Sequence, residues 1–248
     1  MMRALFSIAA DTHNKNSIVS RIRKRRFSYL AYLIERVIRE SKEPIKILDI
    51  GGRVKFWEDL PFEEELCSVH IINLEEGDSS NRSNITCSKG DARKMPEFGD
   101  GQFDIVVSNS VIEHVGTWQD QYDMAMEVER VGGAIFIQTP NYWFPMEPHF
   151  LMPFFQFLPI WFRTWLVSNF DMGNYKKTKN WDEARSEVVQ VRLLTRRGFR
   201  GLFREGTIQN EWLFGLINGF IITNGWPEGS LSYKRFSKDF RGNKSEGA

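Results

Sequence analysis

Ile45-Lys46-Ile47-Leu48-Asp49-Ile50-Gly51-Gly52 is the stretch on which the rest of the chain depends. Its apolar residues are mostly β-branched, Pro44 precedes it and two glycines close it. A run this short, bounded by breakers, predicts a strand buried on both faces, as at the centre of a parallel sheet. Asp49 is the exception. A carboxylate is costly to bury without a partner, so it is best placed at the carboxyl edge of the sheet, accepting hydrogen bonds from a loop or a ligand. Gly51 and Gly52 allow a sharp turn and close approach of another group, and open α/β sheets bind ligands at this edge. Taken alone, the stretch fits a core strand with an ordinary glycine turn equally well.

Three later segments tip that balance. They are Ile71-Ile72-Asn73-Leu74-Glu75, then Gly90-Asp91-Ala92-Arg93, then Phe103-Asp104-Ile105-Val106-Val107-Ser108-Asn109-Ser110-Val111-Ile112-Glu113-His114-Val115. In this order they resemble the class I S-adenosylmethionine-dependent methyltransferases over roughly residues 45–140. The most specific part is the Phe-Asp strand ending in Ser108, followed by a helix opening Val111-Ile112-Glu113-His114. The resemblance implies an α/β fold: a Rossmann-like, doubly wound, mostly parallel seven-stranded sheet with its last strand antiparallel. It also implies S-adenosylmethionine as cofactor, with S-adenosylhomocysteine as product.

Residue by residue, the resemblance sets Asp49, Gly51 and Gly52 at the cofactor's edge. The family's acid at the end of the second strand holds the ribose hydroxyls; here Asn73 occupies that position and Glu75 follows two residues on, so either is a candidate. Asp91 and the Ala92 amide would contact the adenine, although Asp91 also suits an N-cap. Asn109 and Ser110 would face the methionine part. His114 reads as structural. A nicotinamide dinucleotide would need G-x-G-x-x-G to seat its pyrophosphate, and Gly51-Gly52-Arg53-Val54-Lys55 lacks it.

Composition bounds the remainder. The chain has 248 residues, 42% hydrophobic and 26% charged, as expected of one α/β domain. A net charge of +1 supplies no global field for nucleic acid, and no such partner is expected. The two cysteines have no metal-ligand pattern and read as reduced thiols of a cytoplasmic protein; no metal is expected. Ala4 to Ala10 is too short an apolar run for a signal peptide and reads as a loose lead-in.

Residues 17–41 predict a helix with Ile22, Tyr29, Leu30, Leu33, Val37 and Ile38 on one face. Arg21, Arg23, Lys24, Arg25 and Arg26 oppose its dipole. They fit a solvated face, or contact with an anionic membrane or a phosphate-bearing substrate. The first crossover helix is expected over 54–65, with Pro61 ending or kinking it. Strands are expected at 69–74, 84–88, 103–108 and 134–139, within a cofactor-binding half spanning 45–139. In the C-terminal half, 183–232, a charged helix is expected over 182–197, a sixth strand over 199–205, a turn or short helix over 212–216 and the last strand over 219–224. Residues 233–248 read as a flexible tail.

Residues 140–182 are the aromatic-rich insertion after the fifth strand, where acceptor choice is expected to lie. Pro153 and Pro159 interrupt its apolar run over 150–167, and Gln156, Arg163 and Thr164 add polarity. That excludes a spanning helix and predicts two short helices. They would cap the site, form a homodimer contact or lie at a membrane interface. Peripheral contact at the inner face of a membrane, through 17–41 or 150–167, stays open. Similar segments resemble methyltransferases of bacterial glycan and glycolipid pathways.

A hydroxyl acceptor must lose its proton as the methyl arrives. A neutral imidazole, with a pKa near ~6.5, suits that task. His149 is the candidate, with Glu147 orienting it or binding a sugar hydroxyl; otherwise His149 caps a turn at Pro148. The reading is methyl transfer to a small-molecule, sugar or glycolipid hydroxyl. N-methylation of a small molecule is the alternative, and a non-catalytic scaffold retaining the fold is another. Ser108-Asn109-Ser110-Val111 lacks the Asn/Asp-Pro-Pro-aromatic motif of enzymes that methylate nucleobase amino groups.

Overall fold

The computed structural model describes residues 18–60, 62–75 and 79–242; the lead-in at 4–10 lies outside them. β1 (Ile45–Ile50) is central. It pairs in parallel with β2 (Cys67–Asn73) on one side and β4 (Phe103–Asn109) on the other, so Asp49 stands between Ile71 and Val107. With β3 (Ile85–Lys89), β5 (Gly132–Pro140), β8 (Thr207–Leu213) and β9 (Leu216–Asn224), the sheet order is β3-β2-β1-β4-β5-β9-β8. β9, the last strand in the chain, runs antiparallel to both its neighbours, and the strands β1 to β5 are parallel. The expected seven-stranded, doubly wound α/β sheet is what forms. The chain winds outward from β1 to β3 and then restarts at β4 on the far side. The carboxyl ends of β1 and β4 therefore flank the switch point where such sheets leave a crevice.

Side chains alternate across β1 as a strand requires. Ile45 and Ile47 join one core with Tyr29, Leu30, Leu33 and Ile34 of α1 (Ile18–Glu40) and Trp57 of α2 (Val54–Glu58). Leu48 and Ile50 join the opposite core with Met124, Ala125 and Val128 of α3 (Trp118–Val131). A third, smaller core belongs to the insertion. Phe150, Phe155 and Val167 pack there with Val188, joining α4 (Ile160–Asn169) to α5 (Trp181–Val189).

Several expected elements differ. The first crossover helix stops at Glu58 instead of reaching 65. The charged helix ends at Val189, and the expected sixth strand over 199–205 is mostly helix: α6 (Arg196–Leu202). Thr195 caps it by accepting from the Gly198 amide at 3.1 Å, and Phe199 and Leu202 fall at helical spacing into the core. The sixth strand is β8 instead. Phe214 and Gly215, both at positive φ (50° and 78°), join it to β9 as a two-residue hairpin, so of the two readings of 212–216 the turn is the one that forms. The insertion has its two short helices on either side of Pro159, the first of them only a 3-10 turn. β6 (Met146–Glu147) pairs with β7 (Met152–Pro153), and a single 3-10 turn at Phe155–Phe157 precedes α4.

The flexible tail is also corrected over 233–242. Those residues form α7 (Tyr233–Gly242), anchored by Tyr233, which is buried against Tyr29 at a ring separation of 5.2 Å. Among the described residues, no helix is long and apolar enough to cross a membrane.

Candidate active site

The switch point opens into a cavity of about 870 Å³. Gly51, Gly52, Asn73, Glu75, Asp91 and Ala92, each singled out in the sequence, share its wall with Arg53, Arg93, Val111 and His114. The glycine turn is tight by necessity. Gly51 has φ +75°, and a Cβ on it would lie 2.3 Å from Val111 Cγ2. A Cβ on Gly52 would lie 1.8 Å from Asp49 Oδ2. Side chains are excluded here, so backbone lines the cradle and a ligand can approach it closely.

Asp49 is not part of that wall. It is buried, and its carboxylate accepts from the Trp57 indole N–H at 2.6 Å, which ties β1 to α2. Burial raises its pKa to about 7, partly offset by the Trp57 bond. The Asn73 amide donates to the Gly52 carbonyl at 3.1 Å, fastening the end of β2 to the glycine turn. Asp91 is held by Arg93 through Nη2 at 2.7 Å and Nε at 3.0 Å. That bonding, foremost, keeps its carboxylate below the ordinary range. Arg93 also reaches Asp120 at 2.9 Å.

Asn109 and Ser110 end β4 as expected but do not line the cavity. The Asn109 amide oxygen accepts from Arg26 at 2.6 Å, and the Ser110 hydroxyl donates to Gln138 Oε1 at 2.8 Å. Ser110 sits at φ 57°, a left-handed conformation that costs a non-glycine residue roughly 1–2 kcal/mol. Arg26 is the centre of a buried network. It grips Glu211 with two bonds of 2.7 and 2.8 Å and donates to Gln138 Oε1 at 2.9 Å. The basic run of α1 thus sends one of its charges inward, and no spacing in the sequence announces it.

The insertion places Glu147 and His149 beside His114 of that wall. Glu147 is buried; its Oε2 accepts from the backbone amides of His149 (2.8 Å) and Phe150 (2.6 Å). Its Oε1 lies 2.8 Å from His149 Nδ1. The other ring nitrogen, His149 Nε2, lies 3.0 Å from His114 Nε2 and 3.9 Å from Glu113 Oε1. The two residues singled out in the sequence are thus in contact, and they meet Glu113 and His114 from the turn after β4 (Ile112–His114).

Burial alone would lower the His149 pKa, but the Glu147 hydrogen bond and the charges of Glu147 and Glu113 outweigh it and lift it above the usual imidazole value. His114 keeps an open edge on the cavity, yet desolvation around its ring, and then His149, push it down to about 4. Glu113 is fully buried, which raises its pKa. The sequence signal for these two residues is the Glu-His pair following β4; its meaning depends on a histidine 35 positions later that only the fold brings near.

The chain matches the methyltransferase domain family over residues 22–205. No curated protein matches the sequence significantly. Among solved structures, magnesium protoporphyrin IX methyltransferase from Synechocystis PCC 6803 is similar, with 9% identity, TM-score 0.48 and coverage of 86% of this chain and 90% of that one. The N-methyltransferase NodS from Bradyrhizobium japonicum WM9 has 12% identity, TM-score 0.46 and coverage of 83% and 87%. Against a sarcosine dimethylglycine methyltransferase structure from Galdieria sulphuraria the identity is 17% and the TM-score 0.36, over 46% of this chain and 45% of that one. For the CurJ carbon methyltransferase the chain spans 53% of the structure's length.

Proposed function

The chain belongs to the methyltransferase domain family, whose methyl donor is S-adenosylmethionine, and on that premise we propose that it methylates a hydroxyl of a small-molecule, sugar or glycolipid acceptor. The observation that carries the oxygen reading is the Glu147–His149 pair, at 2.8 Å, beside the His114 wall of the cavity. The donor supplies an electrophilic methyl carbon on a sulfonium. The residues of the chain do the rest. The glycine turn, Asn73, Glu75, Asp91 and Ala92 form the cradle. Arg93 fixes the direction of Asp91, and Asn73 fixes the turn. The insertion covers the acceptor side and presents His149.

Glu147 holds a proton on Nδ1, so the Nε2 lone pair of neutral His149 faces the His114 ring at 3.0 Å, and it accepts the acceptor's proton once the acceptor hydroxyl takes the place of that contact. A neutral amine attacks through its own lone pair and needs no proton removed as the methyl arrives, whereas a neutral hydroxyl is a poor nucleophile until its proton leaves, so a buried carboxylate–imidazole pair is of most use to a hydroxyl. Beyond proton removal, catalysis is alignment of oxygen, methyl carbon and sulfur.

The test is transfer of labelled methyl from S-adenosylmethionine to matched hydroxyl and amine acceptors, with calorimetric titration of S-adenosylhomocysteine alongside. His149→Ala is expected to reduce transfer by about 10²–10⁴-fold, the usual worth of a general base, with donor affinity unchanged. Lost donor affinity would give His149 a structural role. Transfer confined to amines would overturn the oxygen reading.

A further inference from the structure

We propose that Glu113, His114 and His149 form a binding site for one divalent transition-metal ion, with Glu147 as its outer support. One donor atom from each of the three lies within 4.8 Å of the others. Two imidazole nitrogens and a carboxylate oxygen form a donor set suited to zinc-like ions, which leaves a coordination position open. In such a site the donor atoms stand roughly 3.3 Å apart, given metal–ligand bonds of ~2.0–2.2 Å. The His114–His149 separation is 3.0 Å and the His149–Glu113 separation 3.9 Å. Even from the 4.8 Å limit, closing to ~3.3 Å takes side-chain movements of about 1–2 Å in total.

A second, independent observation points to a cation. Glu113 has 0% exposure, and although its Oε2 accepts from Thr139 Oγ1 at 3.0 Å, its Oε1 has no hydrogen-bond partner. A buried carboxylate oxygen left unpartnered is expensive, and this one lies on the side of the two histidines. A metal ion would satisfy it. Glu147 does for His149 what outer carboxylates do for metal-bound histidines: it accepts from Nδ1–H, fixes the tautomer and turns Nε2 inward. His114 lines the cavity, so the open position would face the place where methyl transfer occurs.

The consequence deepens the hydroxyl-methylation reading and rests on it. An acceptor hydroxyl bound at the open position ionises more readily. Its O–H bond breaks with the proton passing to solvent, and its electron pair forms the new bond to carbon as the carbon–sulfur bond breaks. In the loaded protein the ion thus takes over the task that His149 performs in its absence.

The experiment strips the full-length protein with chelator, then titrates ZnCl₂ by calorimetry and CoCl₂ by visible absorption. MgCl₂ is the comparison, because imidazole donors disfavour it. Expected are one Zn²⁺ per chain, a cobalt spectrum of low coordination number, and no competition from Mg²⁺. His114→Ala and His149→Ala should each weaken Zn²⁺ at least tenfold. His114, on the open edge of the site, is varied in preference to the fully buried Glu113; circular dichroism and donor titration verify each variant's fold. No stoichiometric Zn²⁺ binding, or binding indifferent to both histidine variants, overturns the site. Methyl transfer by chelated protein at full rate would remove the ion's catalytic role while leaving the hydroxyl reading intact. Absence of transfer to any hydroxyl, with Zn²⁺ bound, would do the reverse.

Discussion

Asn73 stands where an acid is expected, and the structure supplies a physical reason. Its amide donates to the Gly52 carbonyl. A carboxylate has no hydrogen to offer and would set two acceptors against each other. The acid is available instead at Glu75, on the same cavity wall. If a carboxylate holds the donor's ribose hydroxyls, it is Glu75. Glu75→Gln is then expected to weaken S-adenosylhomocysteine binding by about tenfold, as fits the loss of a charge-assisted hydrogen bond partly replaced by an amide. Asn73→Asp should loosen the turn without tightening the donor. Calorimetric titration separates the two, and tighter binding by Asn73→Asp would return the role to position 73. At this scale most of the cradle was legible, because glycines and short polar motifs act through neighbours in sequence. The bonding of Asn109 and Ser110 was not legible, for the opposite reason: their side chains answer to Arg26 and Gln138, which come from other elements.

The elements show the same division. β1 to β5 were readable from short apolar runs, and α1 from the spacing of Tyr29, Leu30 and Leu33. The stretch after Thr195 was misread because Phe199, Leu202 and Phe203 suit a buried strand or a buried helix equally in so short a run, and the Thr195 cap decides it. α1 carries the largest surprise. Five basic residues at its start looked like a solvated face, yet Arg26 is buried and paired with Glu211, itself fully buried, 185 positions away. Removing one partner strands the other charge in the interior. Arg26→Met is therefore expected to cost roughly 3–5 kcal/mol, a fall in Tm of more than about 6 °C for a chain of this size. Arg26→Met with Glu211→Gln should recover part of the loss. Thermal unfolding of the three proteins decides it, and a single variant as stable as the parent would show that the pair is not what fastens α1 to the sheet.

Across the whole molecule, a chain of net charge +1 gathers Asp49, Glu113, Glu147 and Glu211 at the carboxyl edge of one sheet, each no more than 4% exposed. Sequence reading found the edge, because the switch point follows from strand order, but not this concentration of buried acid, which arises only when the insertion and β8 close over it. The four are not equivalent. Glu211 has Arg26, and Glu147 has His149 with two backbone amides. Among the described residues Asp49 has only the Trp57 indole, so burial dominates and its pKa rises from 3.8 to about 7. The sign of the linkage is then fixed. The folded state holds the proton more tightly than the unfolded chain, so the associated stability is full below about 3.8 and is lost as pH rises through 7. At the alkaline limit, ionising this buried group costs on the order of 4 kcal/mol. Asp49→Asn keeps an acceptor for Trp57 and carries no titration. Its stability relative to the parent should therefore rise from about pH 4 to about 8, most steeply between 5 and 6, and level off above that, in urea unfolding measured at fixed ionic strength. Glu113 is also raised by burial, but it is common to both proteins and cancels in the difference. Parallel pH profiles for parent and variant would mean that Asp49 stays ionised in the fold, with some further group stabilising its charge beside the glycine turn.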